Sequence, residues 1–345
     1  MLVRRSRRSA APRLAVLGAC VLLAIGVGLA ARMTGPAPSS PPAGPAGSPG
    51  SAGALPAMPL DVDPDSYVAT ALAADGSLDD ADRSALGVIA AQPVARWISE
   101  PADAVAAEVA GVASGAAARG ALPVLVAYAI PDRDCGSHSA GGAAASRQYR
   151  AWVDAFVAGL GRHPSIVVVE PDALAQLDCL SPDGRLARLA DLRYAVRAFA
   201  AQGAFAYVDA GHAGWIDADE MASRLREIGV TDAAGFSLNV SNFQSTSVEA
   251  AYGRAIARAL GGDVSFVIDT SRNGVPGDGS DWCNPPGRAL GAAPTTDTGI
   301  AGVDAFLWVK TPGRSDGPCN GGPPAGQWWP AYALALVRNA EAAGG

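Results

Sequence analysis

Charge and the common catalytic signatures are what this sequence has least of. Only 17% of its 345 residues are charged and the formal net charge is -7. No basic stripe follows the first residues, which excludes a nucleic-acid partner and suits an uncharged substrate. The three histidines, His138, His163 and His212, are scattered, and neither Cys-x-x-Cys nor His-x-His spacing occurs. A structural or catalytic metal is therefore not expected. No Gly-x-Ser-x-Gly elbow supports a serine hydrolase. The absence of a Gly-x-Gly-x-x-Gly turn after a strand, and of a phosphate loop, argues against a nucleotide cofactor. What remains is a half-hydrophobic chain with ample material for a core.

The N-terminus has an address. Arg4, Arg5, Arg7 and Arg8 precede an uncharged apolar stretch from Leu14 to Ala31, which Arg32 closes. That order is an export signal, and the length of the stretch suits either cleavage or retention as a membrane anchor. Residues 1–33 are accordingly read as signal peptide or anchor, and the product as secreted or held at the cell surface. Leu17-Gly18-Ala19-Cys20 resembles a lipoprotein cleavage box, but the apolar run continues past Cys20 and the match is taken as chance. Residues 34–59 are almost wholly Pro, Gly, Ala and Ser, a linker too poor in large apolar groups to fold. One folded domain, residues 60–345, follows, with nothing to suggest an oligomer. Its cysteines are Cys135, Cys179, Cys283 and Cys319. In an exported domain these predict two disulfides, with three pairings open.

Near-continuous apolar runs at Val94 to Ile98, Leu122 to Tyr128, Ile166 to Val169, Ala204 to Val208, Gly235 to Val240, Ser265 to Ile268 and Ala305 to Val309 read as strands buried on both faces. Between them the period changes. Trp152, Phe156 and Leu160 recur at helical spacing, as do Leu192, Val196 and Phe199, and further helices are expected at 103–119, 219–228, 247–260 and 329–342. Such alternation makes a parallel α/β barrel or an open doubly wound sheet. The stretch from Ser271 to Gly302 has neither period and holds Cys283, so it reads as a stapled loop serving a site.

The residues beyond each strand carry the functional signal. In order they are Trp97, the Asp132 to Asp134 cluster, Asp172, Asp209 with His212, Asn239 with Asn242, Asp269 with Arg272, and Lys310 with Asp316. Any one aspartate after a strand is explained by helix capping, as Asp172 before Ala-Leu-Ala-Gln-Leu would be. Acids after five of seven strands, several of them before loops rather than helices, exceed what capping needs. On a barrel all would meet at one rim, where such folds hold their chemistry. Carboxylates without a metal or a nucleophile motif point to acid and base catalysis, which glycosidic cleavage uses in pairs. Trp97, Trp215 and Trp282 fall at strand ends or in loops, where an indole face can stack on a sugar ring. Trp152 and Trp308 lie within a helix and a strand and are assigned to the core, while Trp328 and Trp329 are left open.

Six ordered motifs, YAIPDRDCGSHSAGG, VVVEPD, YVDAGHAGW, DTSRNG, DWCNPPGRALG and WVKTPGRSDG, resemble glycoside hydrolase family 6, the inverting cellulases. The resemblance runs from about Trp97 to about Trp329. It implies an α/β fold, a distorted seven-stranded parallel barrel of the TIM-barrel kind, with no cofactor. By motif match, Asp172 corresponds to the general acid. Asp134 corresponds to the group that raises the acid's pKa and serves as a water-mediated base, and Asp316 to a competing candidate for that base. Asp209 matches a fourth active-site aspartate. Tyr128 matches a tyrosine beside the ring being cleaved, and Ser139 a serine associated with the water. Lys310, His212, Trp215, Trp97 and Trp282 match groups binding neighbouring glucosyl units, and Asn239 and Asn242 join them as candidate substrate ligands. The implied disulfides are Cys135 with Cys179 and Cys283 with Cys319.

One departure stands out. Where the family usually has Lys-Pro-Pro-Gly-Glu-Ser-Asp, this chain has Thr311 for the first proline and Arg314 for the glutamate. Arg314 is expected to alter subsite affinity and, by proximity, to lower the pKa of Asp316. The resemblance implies an inverting endo-1,4-β-glucanase acting on β-1,4-glucan, since the short link from Lys310 to Trp328 argues for an open cleft. A glucan-binding protein without turnover, motivated by Arg314 alone, and a hydrolase of another envelope polysaccharide are the competing readings.

Overall fold

The computed structural model describes residues 54–277 and 281–344; the expected export segment and most of the expected linker lie outside the described residues. Within that range no helix is long and apolar enough to cross a membrane. Seven short strands, β1 (Arg96–Ile98), β2 (Val124–Ala127), β3 (Ile166–Val169), β4 (Phe205–Asp209), β5 (Gly235–Leu238), β6 (Ser265–Asp269) and β7 (Val303–Leu307), form one parallel sheet in sequence order. It curls almost to closure. β1 and β7 meet through a single parallel bridge between Val94 and Trp308, so the barrel keeps an open seam beyond that point. All seven predicted strands are present.

The alternation of side chains explains why the strands read as unbroken apolar runs. On β2, Val124 and Val126 point into the barrel with Ile166, Val168, Tyr207, Val267 and Leu307. Leu125 and Ala127 point outward with Val167, Val169, Val208 and Ile268, under the helices. Both faces are largely dry, so polar positions within the strands are few, Ser237 and Asp304 among them, and each fully buried aliphatic side chain contributes about 1.5–3 kcal/mol. Trp152 and Trp308 are both 3% exposed, as their core assignment required.

The connecting helices are α3 (Val105–Ala118), α4 (Ser146–Leu160), α5 (Pro182–Gln202), α6 (Ala218–Glu227), α7 (Thr246–Leu260) and the closing α8 (Pro330–Ala342). Before the first strand lie α1 (Tyr67–Ala74) and α2 (Asp80–Ala90), which the sequence reading left unassigned. Both are short; α1 is alanine-rich with only Val68 and Leu72 buried and shows no strong stripe, while α2 buries Leu86 and Ile89 beneath an acidic first turn. They pack with α8 and Trp308 into a separate apolar cluster outside the seam. Leu55 and Met58, at the end of the expected linker, pack on the barrel interior with Leu60, and Asp61 pairs with Arg119 at 2.8 Å.

Gly235 opens β5 where a Cβ would stand 2.0 Å from the Ser265 carbonyl oxygen of β6. Backbone cannot yield there without breaking the ladder. Gly235→Ala is expected to destabilise the domain by about 1–3 kcal/mol, the usual cost of overpacking, read as a lower midpoint in urea unfolding at an unchanged slope.

Candidate active site

Loops at the C-terminal ends of the strands enclose a cleft of about 570 Å³ lined by Trp97, Tyr128, Asp134, Ser139, Asp172, Gln176, His212, Trp215, Asn242, Trp282 and Asp316, among others. Three of the four candidate acids therefore reach it. The backbone around them is unusual: Asp132, Asp134, Cys135, Glu170, Asp172, Asn239 and Ser241 all have positive φ without being glycine. Such conformations persist only where surrounding contacts over-determine them. Here those contacts can be named.

Glu170, fully buried, closes the end of β3 and accepts the main-chain N–H groups of Ala129 at 3.0 Å and Ile130 at 3.0 Å, fixing the exit of β2 toward Asp134. Burial pushes this carboxyl up to about 7. Buried Arg188 of α5 donates to the carbonyls of Ala173, Pro131 and Asp132, joining the loops after β2 and β3. The disulfide Cys135–Cys179 joins them again. Between these supports Asp134 accepts the Ser139 N–H at 2.7 Å and the Gln176 amide at 3.1 Å.

Asp172 is half-buried in the cleft. Desolvation first, and the negative charge of Asp134 second, push its carboxyl up to about 7, against the opposing pull of Lys310. Asp209 does not line the cleft. It is 1% exposed at the end of β4, where it accepts the N–H of Asp172 at 2.9 Å and of Gly211 at 3.1 Å. Burial, then the Asp172 charge, hold it well above the ordinary carboxylate range. Asp209 is thus placed to hold the Asp172 backbone, in place of the direct catalytic position expected for it.

Asp316 is the electrostatic opposite of Asp172. Its two oxygens lie 2.8 Å from the Arg272 guanidinium and 2.8 Å from the Lys310 ammonium, and the main chain of Asn284 donates to it at 3.1 Å. Burial raises its pKa, but Arg272 and Lys310 together outweigh burial and bring the carboxyl below its usual value. The disulfide Cys283–Cys319 ties the segment carrying Trp282 and Asn284 to the segment after β7. Both disulfides match the pairing implied by the family resemblance.

Three other expectations are revised. Arg314 does not approach Asp316: its guanidinium lies 4.4 Å over the Tyr67 ring and its Nε donates to the Gly326 carbonyl at 2.7 Å. Asn239 is fully buried and spends its amide on the Asp269 and Gln244 carbonyls, so it shapes the rim without facing the cleft. Lys310 points at Asp316 rather than into the cleft. The reading by motif missed Glu170, Gln176, Arg188 and Glu249 as site supports, although Glu170 stands inside a motif it quoted. Glu249 of α7 accepts the Ala213 N–H at 2.9 Å and anchors the turn bearing His212 and Trp215.

Trp97, Trp215 and Trp282 all line the cleft. Trp215 is 36% and Trp282 48% exposed, flanked by His212 at 5.3 Å and His138 at 5.9 Å between ring centres. Trp97 stands edge-on to Tyr128 at 5.0 Å with its indole N–H on the Val309 carbonyl at 2.7 Å.

A parallel barrel whose C-terminal rim gathers unlike carboxylates between exposed indoles defines the class of barrel glycoside hydrolases. The profile of glycosyl hydrolases family 6 matches residues 58–340, and the chain belongs to that family. It is 51% identical over 263 residues to endoglucanase A of Cellulomonas fimi, covering 75% of this chain and 57% of that protein. Endoglucanase 1 of Streptomyces sp. strain KSM-9 is 45% identical over 254 residues, covering 72% of this chain and 70% of its own length. Among solved structures, the endoglucanase Cel6 of Mycobacterium tuberculosis, in complex with methyl-cellobiosyl-4-deoxy-4-thio-β-D-cellobioside, superposes with a TM-score of 0.78 at 46% identity, over 82% of this chain and 98% of that one.

Arg272→Met would leave the carboxyl of Asp316, 6% exposed, with one cation. The expected cost is about 3–5 kcal/mol at neutral pH, since a buried charge loses its partner. The folded pKa of Asp316 is depressed, so its stabilisation is present above the ordinary value of 3.8 and is lost as pH falls through the lower folded value. The difference between wild type and variant in urea unfolding should therefore narrow below that pH.

Proposed function

We propose that this protein is an inverting endo-1,4-β-glucanase acting on cellulose or a related β-glucan outside the cell. The observation that carries the reading is one cleft holding an acid raised to about 7, Asp172, beside carboxylates anchored as anions or acceptors, between two exposed tryptophans. Asp172 near neutrality retains the proton that the leaving glycosidic oxygen requires. Single displacement then needs a base acting through water on the opposite face of the ring.

Asp134 fits that second role better than Asp316. A base doubly paired with Arg272 and Lys310, and lowered by them, has little proton affinity to offer. Asp134 is held by one backbone N–H and one neutral amide, next to Ser139 on the cleft wall. Asp316 instead keeps a fixed negative charge near the reacting carbon, where the transition state becomes cation-like. A binding protein without turnover has only the Arg314 substitution to motivate it, and Arg314 is engaged by the Tyr67 ring and the Gly326 carbonyl. Internal cleavage is favoured by the exposed indoles and by relatives named endoglucanases.

Asp172→Asn is expected to lower kcat on carboxymethyl cellulose by about 10²–10⁴-fold, the usual worth of a general acid, with unfolding behaviour unchanged. Proton NMR of early cello-oligosaccharide products should show the α-anomer first; a β-anomer product defeats the inverting assignment. The wild-type rate should decline as pH rises through about 7, where Asp172 loses its proton. In Asp134→Asn the neighbouring charge is gone, so the residual activity should lose that basic limb at a lower pH.

A further inference from the structure

A second cavity of about 380 Å³ adjoins the cleft, and Trp97 lines both. It occupies the open seam of the barrel: Arg96, Ser99 and Glu100 come from the β1 side, Thr311 and Arg314 from the segment after β7, and Tyr67 from α1. The two departures from the family's Lys-Pro-Pro-Gly-Glu-Ser-Asp pattern, Thr311 and Arg314, thus line the same cavity. Seam geometry explains how a long ligand reaches it. Among the described residues, the strands on either side pair only at Val94 and Trp308, and beyond that bridge the Trp97 indole spans to the Val309 carbonyl.

We propose that this cavity is an additional glucosyl subsite, beyond Trp97, for the same chain that fills the cleft; this rests on the β-glucanase reading above. Tyr67 is 38% exposed and, with the Arg314 guanidinium 4.4 Å above its ring, forms a flat amphipathic wall. The Gly326 carbonyl takes the Arg314 Nε at 2.7 Å, which fixes the plane. No carboxylate among the described residues lies within ion-pair distance of Arg314. Its terminal nitrogens therefore remain available as hydroxyl donors, while Glu100 supplies acceptors on the β1 side. An anionic substituent fits poorly. The lining carries Asp63, Asp65 and Glu100 against Arg96 and Arg314, and Arg96 is already taken by Glu108 at 2.5 Å. A neutral sugar ring, apolar on its faces and hydroxylated at its edge, matches both the aromatic wall and the mixed charges.

The test compares cellotetraose and cellohexaose hydrolysis by wild type, Tyr67→Ala, Arg314→Ala and Arg314→Lys, with urea unfolding in parallel. Losing one subsite should lower the cellohexaose to cellotetraose ratio of kcat/KM about tenfold in both alanine variants, through KM rather than kcat. Arg314→Lys should recover part of the ratio. A ratio unchanged in Tyr67→Ala, which is exposed enough to fold, overturns the subsite. So does a greater loss on carboxymethyl-substituted than on neutral chains, which would make Arg314 a reader of charge. If wild type cleaves no β-1,4-glucan at all, the failure lies with the underlying reading instead.

Discussion

Buried carboxylates at strand ends, each accepting main-chain N–H groups from a neighbouring loop, hold the rim on which everything else depends. Glu170 after β3 takes the N–H groups of Ala129 and Ile130; Asp209 at the end of β4 takes those of Asp172 and Gly211; Asp269 at the end of β6 takes those of Ser271, Val309, Ser241 and Lys310. An unmade hydrogen bond to a buried carboxylate is expensive, so each latch determines the path of the loop it holds. The positive φ values at Glu170, Asp172, Asn239 and Ser241 are tolerated because these latches leave no alternative path.

With the loops fixed, electrostatics separates residues of the same chemical type. Burial, and then the charge of Asp134, raise the carboxyl of Asp172 against the pull of Lys310. Asp316 gains two cations in contact, and its proton is surrendered. The same side chain is thus pushed in opposite directions at two places on one rim, because burial and the proximity of charge outweigh intrinsic acidity.

Much of this was legible in order along the chain. Strands reveal themselves because both faces are dry, and helices because one face is not. Asp134, Asp172 and Trp215 are legible as candidate site residues because each follows shortly after an apolar run gives way to a loop, and Trp282 because it stands in a long stapled loop. Glu170 was passed over because a buried glutamate that binds only backbone has no partner visible in sequence. Gln176 and Arg188 were missed for a similar reason, since their contacts lie on other loops. α1 is hard to read because a short alanine-rich segment presents no clear period; α2 does carry an apolar pair, Leu86 and Ile89, which the strand pattern alone does not call for.

By itself, the sequence determined the number and order of strands, the set of residues delivered to the rim, and the identity of the family, since these follow from local pattern and from motifs read in register. Tertiary structure alone decided what each rim residue faces. It turned Asp209 and Asn239 beneath the surface and bound Lys310 and Arg272 to Asp316. It also carried Arg314 away from the acids and into the seam beside Tyr67. The physical reason is that sequence records which groups arrive at a rim, whereas pKa, access and partnership depend on distances between loops that are far apart in the chain and close only after the barrel has curled.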